Sequence, residues 1–197
     1  MELVYPITNR KQLDDMADYL YNKNIRDYIM FEIGINIGIR VTDFTQQKVQ
    51  FYREACNKGY VEMVPKKTSK YKKKVIVPIN KDLNSLIQDY IKNMKDDDWM
   101  FPSRKHGYSI TREQVYRILN EAAEAVGITD NIGCHSMRKT FGYWHYYYNH
   151  DIRLLMDIFN HSSEEVTLRY IGVSEEKKRE SMECMNLGVR SIWNFVV

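Results

Sequence analysis

Residues 134–170 read CHSMRKTFGYWHYYYNHDIRLLMDIFNHSSEEVTLRY, a stretch that predicts three consecutive helices. Ser136 and Asp151 stand where the N-caps of the first two helices are expected, because a short polar side chain there accepts a hydrogen bond from the first turn. The run Ser162-Ser163-Glu164-Glu165 has the pattern of a capping box for the third helix. The predicted helices are Met137–Tyr148, Ile152–Phe159 and one that runs through Val166, Leu168 and Tyr170.

Two histidines, an arginine and a tyrosine are spaced regularly around these helices. His135 and Arg138 are three residues apart at a helix start, a spacing at which two side chains can face the same way. His161 comes 23 residues after Arg138, and Tyr170 comes nine residues after His161. Each residue alone has an ordinary structural explanation, such as a helix cap for a histidine or core packing for a tyrosine. Their combination and order carry more information than any one of them.

The first half of the chain predicts further helices. The stretch from Ile25 to Ile39 is apolar on most sides, so it predicts a buried helix that ends at Gly38-Ile39-Arg40. Thr42 or Asp43 is expected to cap a short turn after it. Candidate N-caps elsewhere are Thr8, Asn80 and the capping box Thr111-Arg112-Glu113-Gln114, whose helix is expected to run to Ala125.

A β-hairpin with a basic tip is predicted in the middle of the chain. Tyr60 to Val64 and Lys74 to Ile79 are apolar or β-branched runs joined by a lysine-rich segment. Six of the nine residues from Lys66 to Lys74 are lysine. Such a tip has two interpretations, a solvated turn or a contact with a polyanion. Together the elements predict an α+β, mainly helical fold with a small antiparallel sheet.

The composition is that of an ordinary globular domain. The 197 residues are 44% hydrophobic and 28% charged, with a formal net charge of +3, which suits one domain with a sizeable core. No stretch approaches the roughly 18 apolar residues of a membrane span, and no secretory signal pattern begins the chain. Cys56, Cys134 and Cys184 have neither a disulfide nor a zinc spacing. We therefore expect a reduced, cytoplasmic compartment.

In combination these residues resemble the catalytic domain of the tyrosine recombinases, also called the phage integrase family. The resemblance extends from about Thr8 to about Met185 and implies the tyrosine-recombinase catalytic fold. It rests on Gly-Ile-Arg40, the lysine hairpin, His135-x-x-Arg138, Asn160-His161-Ser162-Ser163 and Thr167-x-Arg169-Tyr170, and on the separations between them.

The resemblance implies a site-specific DNA recombinase, or integrase, that cuts and rejoins DNA strands by phosphoryl transfer. Tyr170 is expected to attack the scissile phosphate, form a 3′-phosphotyrosyl link and release a 5′-hydroxyl. A 5′-hydroxyl from another strand then reverses the step, so no ATP, metal or other cofactor is implied. Arg40 and Arg138 are expected to neutralise the phosphate oxygens with planar, permanently charged guanidinium groups.

Proton transfer in the family involves a lysine of the hairpin and histidines. Lys67 is the expected general acid for the leaving 5′-oxygen, with Lys70 as the alternative. His135 is expected to handle the proton of the tyrosine hydroxyl or of a phosphate oxygen, and His161 to donate a hydrogen bond to the phosphate. The lysines expected to contact DNA phosphates are Lys66, Lys70, Lys72, Lys73, Lys74 and Lys139.

The sequence departs from the common family pattern at two positions. Asn160 stands where a glycine is common, and we expect the turn to survive because asparagine tolerates left-handed backbone best after glycine. Lys139 replaces a common histidine after Arg138 and adds a positive charge. Asp43 matches a frequent acidic position and is expected to orient Arg40 or to cap a helix.

The resemblance also bears on domains and assembly. Most members carry an N-terminal helical domain that clamps the other face of the DNA, whereas here the catalytic domain, expected over residues 1–185, begins almost at Met1. The sequence is then a piece of a longer protein, or a stand-alone catalytic domain served by a separate clamping domain or partner protein. Residues 186–197 are expected to form a tail that docks on a neighbouring protomer or packs on its own domain. The implied assembly is a homo-oligomer, a tetramer on double-stranded DNA.

Three other functions stay open from the sequence. A type IB topoisomerase shares the chemistry but relaxes one duplex instead of exchanging strands. A catalytically silent DNA-binding module, or a generic helical nucleic-acid binder, would bind DNA without a covalent adduct. The expected source is a bacterium or phage, with the protein associated with the nucleoid, and the sequence specifies neither the DNA target nor the element served.

Overall fold

The computed structural model describes residues 4–65 and 74–173, and over these ranges the chain forms nine helices and two strands. The predicted α+β, mainly helical class with a small antiparallel sheet is confirmed. The helices are α1 (Arg10–Lys23), α2 (Ile25–Ile37), α3 (Val41–Phe44), α4 (Val49–Lys58), α5 (Lys81–Ile91), α6 (Arg112–Ala125), α7 (Cys134–Asn149), α8 (Ile152–Phe159) and α9 (Glu164–Ile171), and the strands are β1 (Tyr60–Met63) and β2 (Val75–Pro78).

Helix α2 lies at the centre of the fold. Because its sequence is apolar on most sides, it is stable only when surrounded, and Ile29, Met30 and Phe31 are fully buried. Helices α1, α5 and α7 pack against it. A Cβ added at Gly34 would collide with Met137 of α7, so this glycine lets the α2 and α7 backbones approach closely.

The end of α2 places an arginine at the start of the next helix. Gly38 has the left-handed φ of +66°, which ends α2 as predicted and turns the chain so that Arg40 occupies the N-cap of α3. The prediction that Thr42 or Asp43 caps this helix is wrong, because the sharp turn restarts the helix directly after Arg40 and both residues lie inside it. Asp43 is instead buried, with 1% of its surface exposed.

The two strands form the predicted hairpin. They pair antiparallel, with Tyr60 opposite Pro78 and Met63 opposite Val75, so each strand is slightly shorter than the sequence predicts. Strand β2 packs against α8, which brings the hairpin next to the C-terminal helices. Its tip, residues 66–73, lies outside the described residues.

The predicted caps of α7 and α8 have different outcomes. Asp151 caps α8 as predicted, accepting a hydrogen bond from a first-turn N–H at 3.0 Å. Ser136 does not cap α7, because that helix already begins at Cys134, and the Ser136 hydroxyl accepts a hydrogen bond from the N–H of Gly133 at 3.1 Å. The earlier start puts His135 in the first turn of the helix.

Two further N-caps differ from the prediction by one residue. Ser163, not Ser162, caps α9, so the expected capping box does not form there. Asn9, not Thr8, caps α1. The predicted N-caps of α5 and α6, Asn80 and Thr111, are confirmed.

Residues 4–7 form an irregular segment along α7, which we call the N-terminal strap. The N–H of Ile7 donates to Thr140 Oγ1 at 2.8 Å, and Trp144 Nε1 donates to the carbonyl of Ile7 at 3.0 Å. Thr140 is fully buried. The strap is therefore anchored to the middle of α7 at two points.

Two expectations concern other parts of the chain. Within the described ranges, no helix has the length and apolar character needed to cross a membrane. The expected tail, residues 186–197, lies outside the described residues.

Candidate active site

The five side chains expected to surround the scissile phosphate lie together. Arg40 comes from the N-cap of α3, His135 and Arg138 from the start of α7, His161 from the turn after α8, and Tyr170 from α9. Burial shifts the pKa of the last four, and the nearby charge of Arg40 adds a lowering contribution in every case. The fold thus gives residues that are far apart in sequence one electrostatic environment.

Arg138 is the most constrained member of the site. It is 6% exposed, and its guanidinium donates to the carbonyls of Gly38 at 2.6 Å and Ile158 at 3.4 Å. The group also lies over the ring of Phe159, with 4.4 Å between its central carbon and the ring centroid. Burial lowers the pKa of Arg138 to about 10, which still leaves the group charged at neutral pH.

Tyr170 has its hydroxyl beside this guanidinium. The guanidinium charge acts on the phenol, and the Tyr170 ring makes edge contacts with His161 and Phe159, at centroid distances of 5.1 and 5.3 Å. Burial raises the pKa of Tyr170, while the charges of Arg138 and Arg40 oppose the rise. The phenol is therefore protonated at neutral pH, and it needs a base before it can act as a nucleophile.

His135 is a neutral base at neutral pH. Burial lowers its pKa below the ordinary 6.5, and the positive charges of Arg112, Arg138 and Arg40 lower it further. A neutral imidazole in this position can accept a proton.

His161 is oriented by a neighbouring threonine. Its Nδ1 lies 3.1 Å from Thr167 Oγ1, and the Thr167 hydroxyl donates to the carbonyl of Ser163 at 3.0 Å. Burial lowers the pKa of His161, helped by the charges of Arg138 and Arg40. The imidazole is thus held through Nδ1 by a fully buried side chain.

Asn160 makes the turn that leads to His161. It has φ 54° and ψ 50°, which is the left-handed conformation expected for an asparagine in place of glycine. The prediction that this turn survives the substitution is confirmed.

The expected lysines are less completely described. Lys66, Lys67, Lys70, Lys72 and Lys73 lie outside the described residues. Lys74 is exposed and forms an ion pair with Glu62 at 2.7 Å. Lys139 is half-buried, and its ammonium donates to the carbonyl of Val4 at 2.7 Å.

The sequence predicted no role for two residues that shape the site and a different role for a third. Thr167 belongs to the motif Thr167-x-Arg169-Tyr170, but only the fold shows that its side chain holds His161. The ring of Phe159 lies against the guanidinium of Arg138, although the sequence predicts only that Phe159 is a core residue. The buried Asp43 raises the pKa of Arg138, against the larger lowering by burial, so its charge acts on the second arginine.

Comparison with known sequences identifies the family. The model of the phage integrase family matches residues 7–177. The probable integrase/recombinase YoeC of Bacillus subtilis is 40% identical over 179 residues, which cover 91% of this chain and 95% of YoeC. Tyrosine recombinase XerA of Pyrococcus furiosus is 24% identical over 180 residues, covering 90% of this chain and 60% of XerA. The chain thus spans nearly all of YoeC but well under two thirds of the XerA length.

Comparison with solved structures gives the same fold. The crystal structure of XerA recombinase has a TM-score of 0.70 at 17% identity, covering 93% of this chain and 65% of that one. The catalytic domain of bacteriophage HP1 integrase has a TM-score of 0.62 at 17% identity, covering 95% and 99%. These similarities confirm the tyrosine-recombinase catalytic fold. With the family match and the YoeC identity, they lead to the conclusion that the chain belongs to the phage integrase family of tyrosine recombinases.

Proposed function

We propose that this chain is a site-specific recombinase that cuts and rejoins DNA strands, with Tyr170 as the nucleophile. The observation that carries the proposal is the placement of Tyr170 beside the buried guanidinium of Arg138, whose charge lowers the pKa of the phenol against the effect of burial. A buried cation beside a phenol suits a site in which that phenol meets a phosphate, because the cation can bind phosphate oxygens and the developing phenolate.

In the proposed reaction, Tyr170 Oη attacks the phosphorus of a DNA phosphodiester. The new P–O bond to tyrosine forms as the bond to the 5′-oxygen breaks, which leaves a 3′-phosphotyrosyl link. Neutral His135 takes the phenolic proton, and Arg40 and Arg138 bind the non-bridging oxygens. Because His161 Nδ1 is occupied by Thr167, His161 takes up a proton at Nε2 beside the bound phosphate and donates it to one of these oxygens. Charge stabilisation of this kind is worth about 3–5 kcal/mol of barrier.

The leaving 5′-oxygen takes its proton from Lys67 in this proposal, with Lys70 as the alternative. The packing of β2 against α8 supports the assignment, because it holds the base of the hairpin close to the helix that carries Phe159.

The proposed partner is double-stranded DNA. One structural relative, XerH, is described as bound to a palindromic difH substrate in a post-cleavage complex, with a TM-score of 0.67 at 18% identity, covering 93% of this chain and 54% of that one. The lysine-rich hairpin is proposed to contact DNA phosphates. We further propose a catalytic domain over residues 1–185 and a tail, residues 186–197, that docks on a neighbouring protomer of a tetramer on DNA.

Covalent capture on nicked DNA tests this function. A nick just downstream of the cleavage point lets the short 5′-hydroxyl fragment diffuse away, so the protein stays attached to the DNA. The chain would be mixed with a pool of nicked duplexes of random sequence, and adducts would be separated on a denaturing gel and sequenced. We expect an adduct with the unchanged chain and none with Tyr170→Phe.

The matched control is Tyr148→Phe, which changes an exposed tyrosine of α7 and should leave the adduct intact. Intact DNA then separates the two reactions that share this intermediate, since a recombinase exchanges strands between two duplexes, whereas a topoisomerase-like enzyme relaxes a single supercoiled plasmid without exchange. Normal DNA binding without any adduct, also after a clamping domain is added back, would mean that the module is catalytically silent.

A further inference from the structure

Lys139 and the N-terminal strap contact the helix that carries Tyr170. The Lys139 ammonium lies 5.4 Å from the centroid of the Tyr170 ring, within cation–π distance, while it donates to the Val4 carbonyl at 2.7 Å. At the same end of α9, two residues after Tyr170, a Cβ added at Gly172 would lie 3.3 Å from Pro6 Cγ, so the strap also packs against the C-cap of α9.

The surroundings of the Tyr170 ring are therefore of two kinds. Phe159 contacts it from the end of α8 and His161 from the turn after α8, and both belong to the site already described. Lys139 contacts it from α7, and the position of its ammonium depends on a backbone carbonyl of the strap. A cation over an aromatic ring holds that ring in place without touching its hydroxyl.

We propose that Lys139 is a positioning residue for Tyr170, and that the N-terminal strap sets its position through the Val4 carbonyl. The inference rests on the proposed function only in taking Tyr170 as the nucleophile. Displacement of residues 4–7 from α7 would free the ammonium and loosen the tyrosine ring, so the strap is coupled to cleavage.

This role differs from the phosphate contact expected of Lys139 from its charge alone. A lysine that binds a DNA phosphate adds to affinity and to its salt dependence, with a slope of about one per contact. A positioning lysine leaves both unchanged and slows the chemical step, since a small misplacement of reacting atoms costs up to about 100-fold in rate. The half-buried state of Lys139 and its bond to a carbonyl favour positioning.

The first test observes Tyr170 without requiring catalysis. In the full chain with ¹³C-labelled tyrosine rings, the Tyr170 resonance is assigned by its loss in Tyr170→Phe. Lys139→Met should shift this resonance and speed up flipping of the ring, and Lys139→Arg should restore both. Trp144→Phe, which removes one anchor of the strap, should shift the resonance in the same direction.

A lysine elsewhere provides the matched control. Lys48 donates to the carbonyl of Asp97 at 2.6 Å and lies 3.9 Å from the Trp99 ring centroid, so Lys48→Met removes the same two kinds of contact away from the site. It should leave the Tyr170 resonance unchanged. An unchanged Tyr170 resonance in folded Lys139→Met would overturn the proposal.

The second test measures DNA binding and cleavage separately. Lys139→Met should slow adduct formation about 10-fold with unchanged affinity and salt slope, and Lys139→Arg should recover most of the rate. Weaker binding with a lower salt slope and an unchanged cleavage rate would overturn positioning in favour of a phosphate contact. No adduct with the unchanged chain would instead count against the proposed function, while the resonance of Tyr170 would still decide the role of Lys139.

Discussion

Arg138 is held in place before any substrate binds. Carbonyls from the end of α2 and from α8 accept its hydrogen bonds, and Phe159 supports one face of the guanidinium. Fixing the group in advance removes the cost of reorganising it during the reaction, which is why such preorganised charges are effective in catalysis. The remaining donors of the planar group are left for the tyrosine and the phosphate.

Replacement of Arg138 should therefore affect cleavage much more than DNA binding. Arg138→Lys keeps a positive charge but loses the planar pair of donors, and we expect adduct formation to fall by at least about 100-fold. Arg138→Ala should abolish the adduct and also lower the free energy of unfolding by about 1–3 kcal/mol, because two carbonyls lose their partner. Adduct yields and denaturant unfolding measure the two effects. Normal cleavage by Arg138→Lys would contradict the assigned role.

If His135 is the base, as proposed, its depressed pKa should set the acid limit of the reaction. Because the folded-state pKa lies below the ordinary 6.5, His135 is a neutral base at pH 7 and remains one as the pH falls through 6.5. The rate of single-turnover cleavage should stay constant down to pH 6.5. It should fall only at lower pH, where the imidazole becomes protonated. The pH profile of His135→Gln should lack this acid limb. A limb centred above 6.5, or one that survives in His135→Gln, would show that another group is the base.

At the scale of single residues, the sequence predicted which residues lie in the site better than it predicted which contacts they make. Arg40, His135, Arg138, His161 and Tyr170 are all brought together as expected, since their order and spacing reflect one arrangement. The contacts of Lys139 depend on where residues 4–7 lie, and no local pattern encodes a neighbour that is more than 130 positions away.

At the scale of elements, α7 connects the site to the core. It packs against α2 on one side and against α8 and α9 on the other, so a shift of α7 moves Arg138 relative to Tyr170. Gly142 makes the close approach to α9 possible, because an added Cβ would lie 2.6 Å from Ile171 Cγ2 and 2.8 Å from Phe159.

We therefore expect Gly142→Ala to destabilise the fold and to slow DNA cleavage. The added methyl group forces α9 and Phe159 away from α7, at a cost of about 1–3 kcal/mol in the free energy of unfolding. Cleavage should slow by more than the loss of folded protein explains, because Tyr170 moves with α9. Denaturant unfolding and adduct formation by the folded fraction check this. A variant with normal stability and normal cleavage would contradict the packing described.

The left-handed turn at Asn160 provides a comparison between two helix ends. Asn160→Gly should be tolerated, whereas Asn160→Val should lower the free energy of unfolding by about 1–2 kcal/mol and slow cleavage, because the turn positions His161. His150 ends α7 with φ 53°, the same kind of conformation, but its only described contact is with Tyr146. His150→Val should cost similar stability and leave cleavage by the folded protein unchanged. Equal effects on cleavage would show that the turn after α8 has no special role.

Helix caps show which element boundaries a sequence can predict. Asp151 and Thr111 were predicted correctly, because each cap satisfies N–H groups of its own helix through its own side chain. The prediction that Ser136 is an N-cap was wrong because Gly133 turns the chain earlier. The serine then lies inside the helix and accepts a hydrogen bond from the N–H of Gly133. The prediction failed where a turn just outside the helix determines the boundary.

At the scale of the whole molecule, charge is expected to govern DNA affinity. The lysines between Lys66 and Lys74 concentrate positive charge on a chain whose net charge is only +3. Lys72→Gln combined with Lys73→Gln should reduce the dependence of log K on log salt by about 1.8 and weaken binding to all sequences alike. Lys11→Gln with Lys23→Gln, two lysines paired with carboxylates on α1 and α6, is the matched control. Equal salt slopes for the two double variants would show that the hairpin lysines do not contact DNA.

The fold class and the family could be predicted from the sequence because the order and spacing of the motifs along the chain reflect the folded arrangement. A stretch that is apolar on most sides predicted α2, and two apolar or β-branched runs around the lysine-rich segment predicted the β1–β2 hairpin. The strap of residues 4–7 could not be predicted, since it has no regular structure and its bonds are made with α7.

The central claim is that Tyr170, among 15 tyrosines, forms the bond to DNA. The direct measurement is peptide mapping of the trapped adduct: protease digestion, nuclease trimming of the DNA and mass spectrometry of the peptide that retains a nucleotide. We predict that the nucleotide is attached to Tyr170 through a phosphodiester at its 3′ end. A nucleotide found on another residue, such as Tyr146, Tyr147 or Tyr148, would contradict the account of the site.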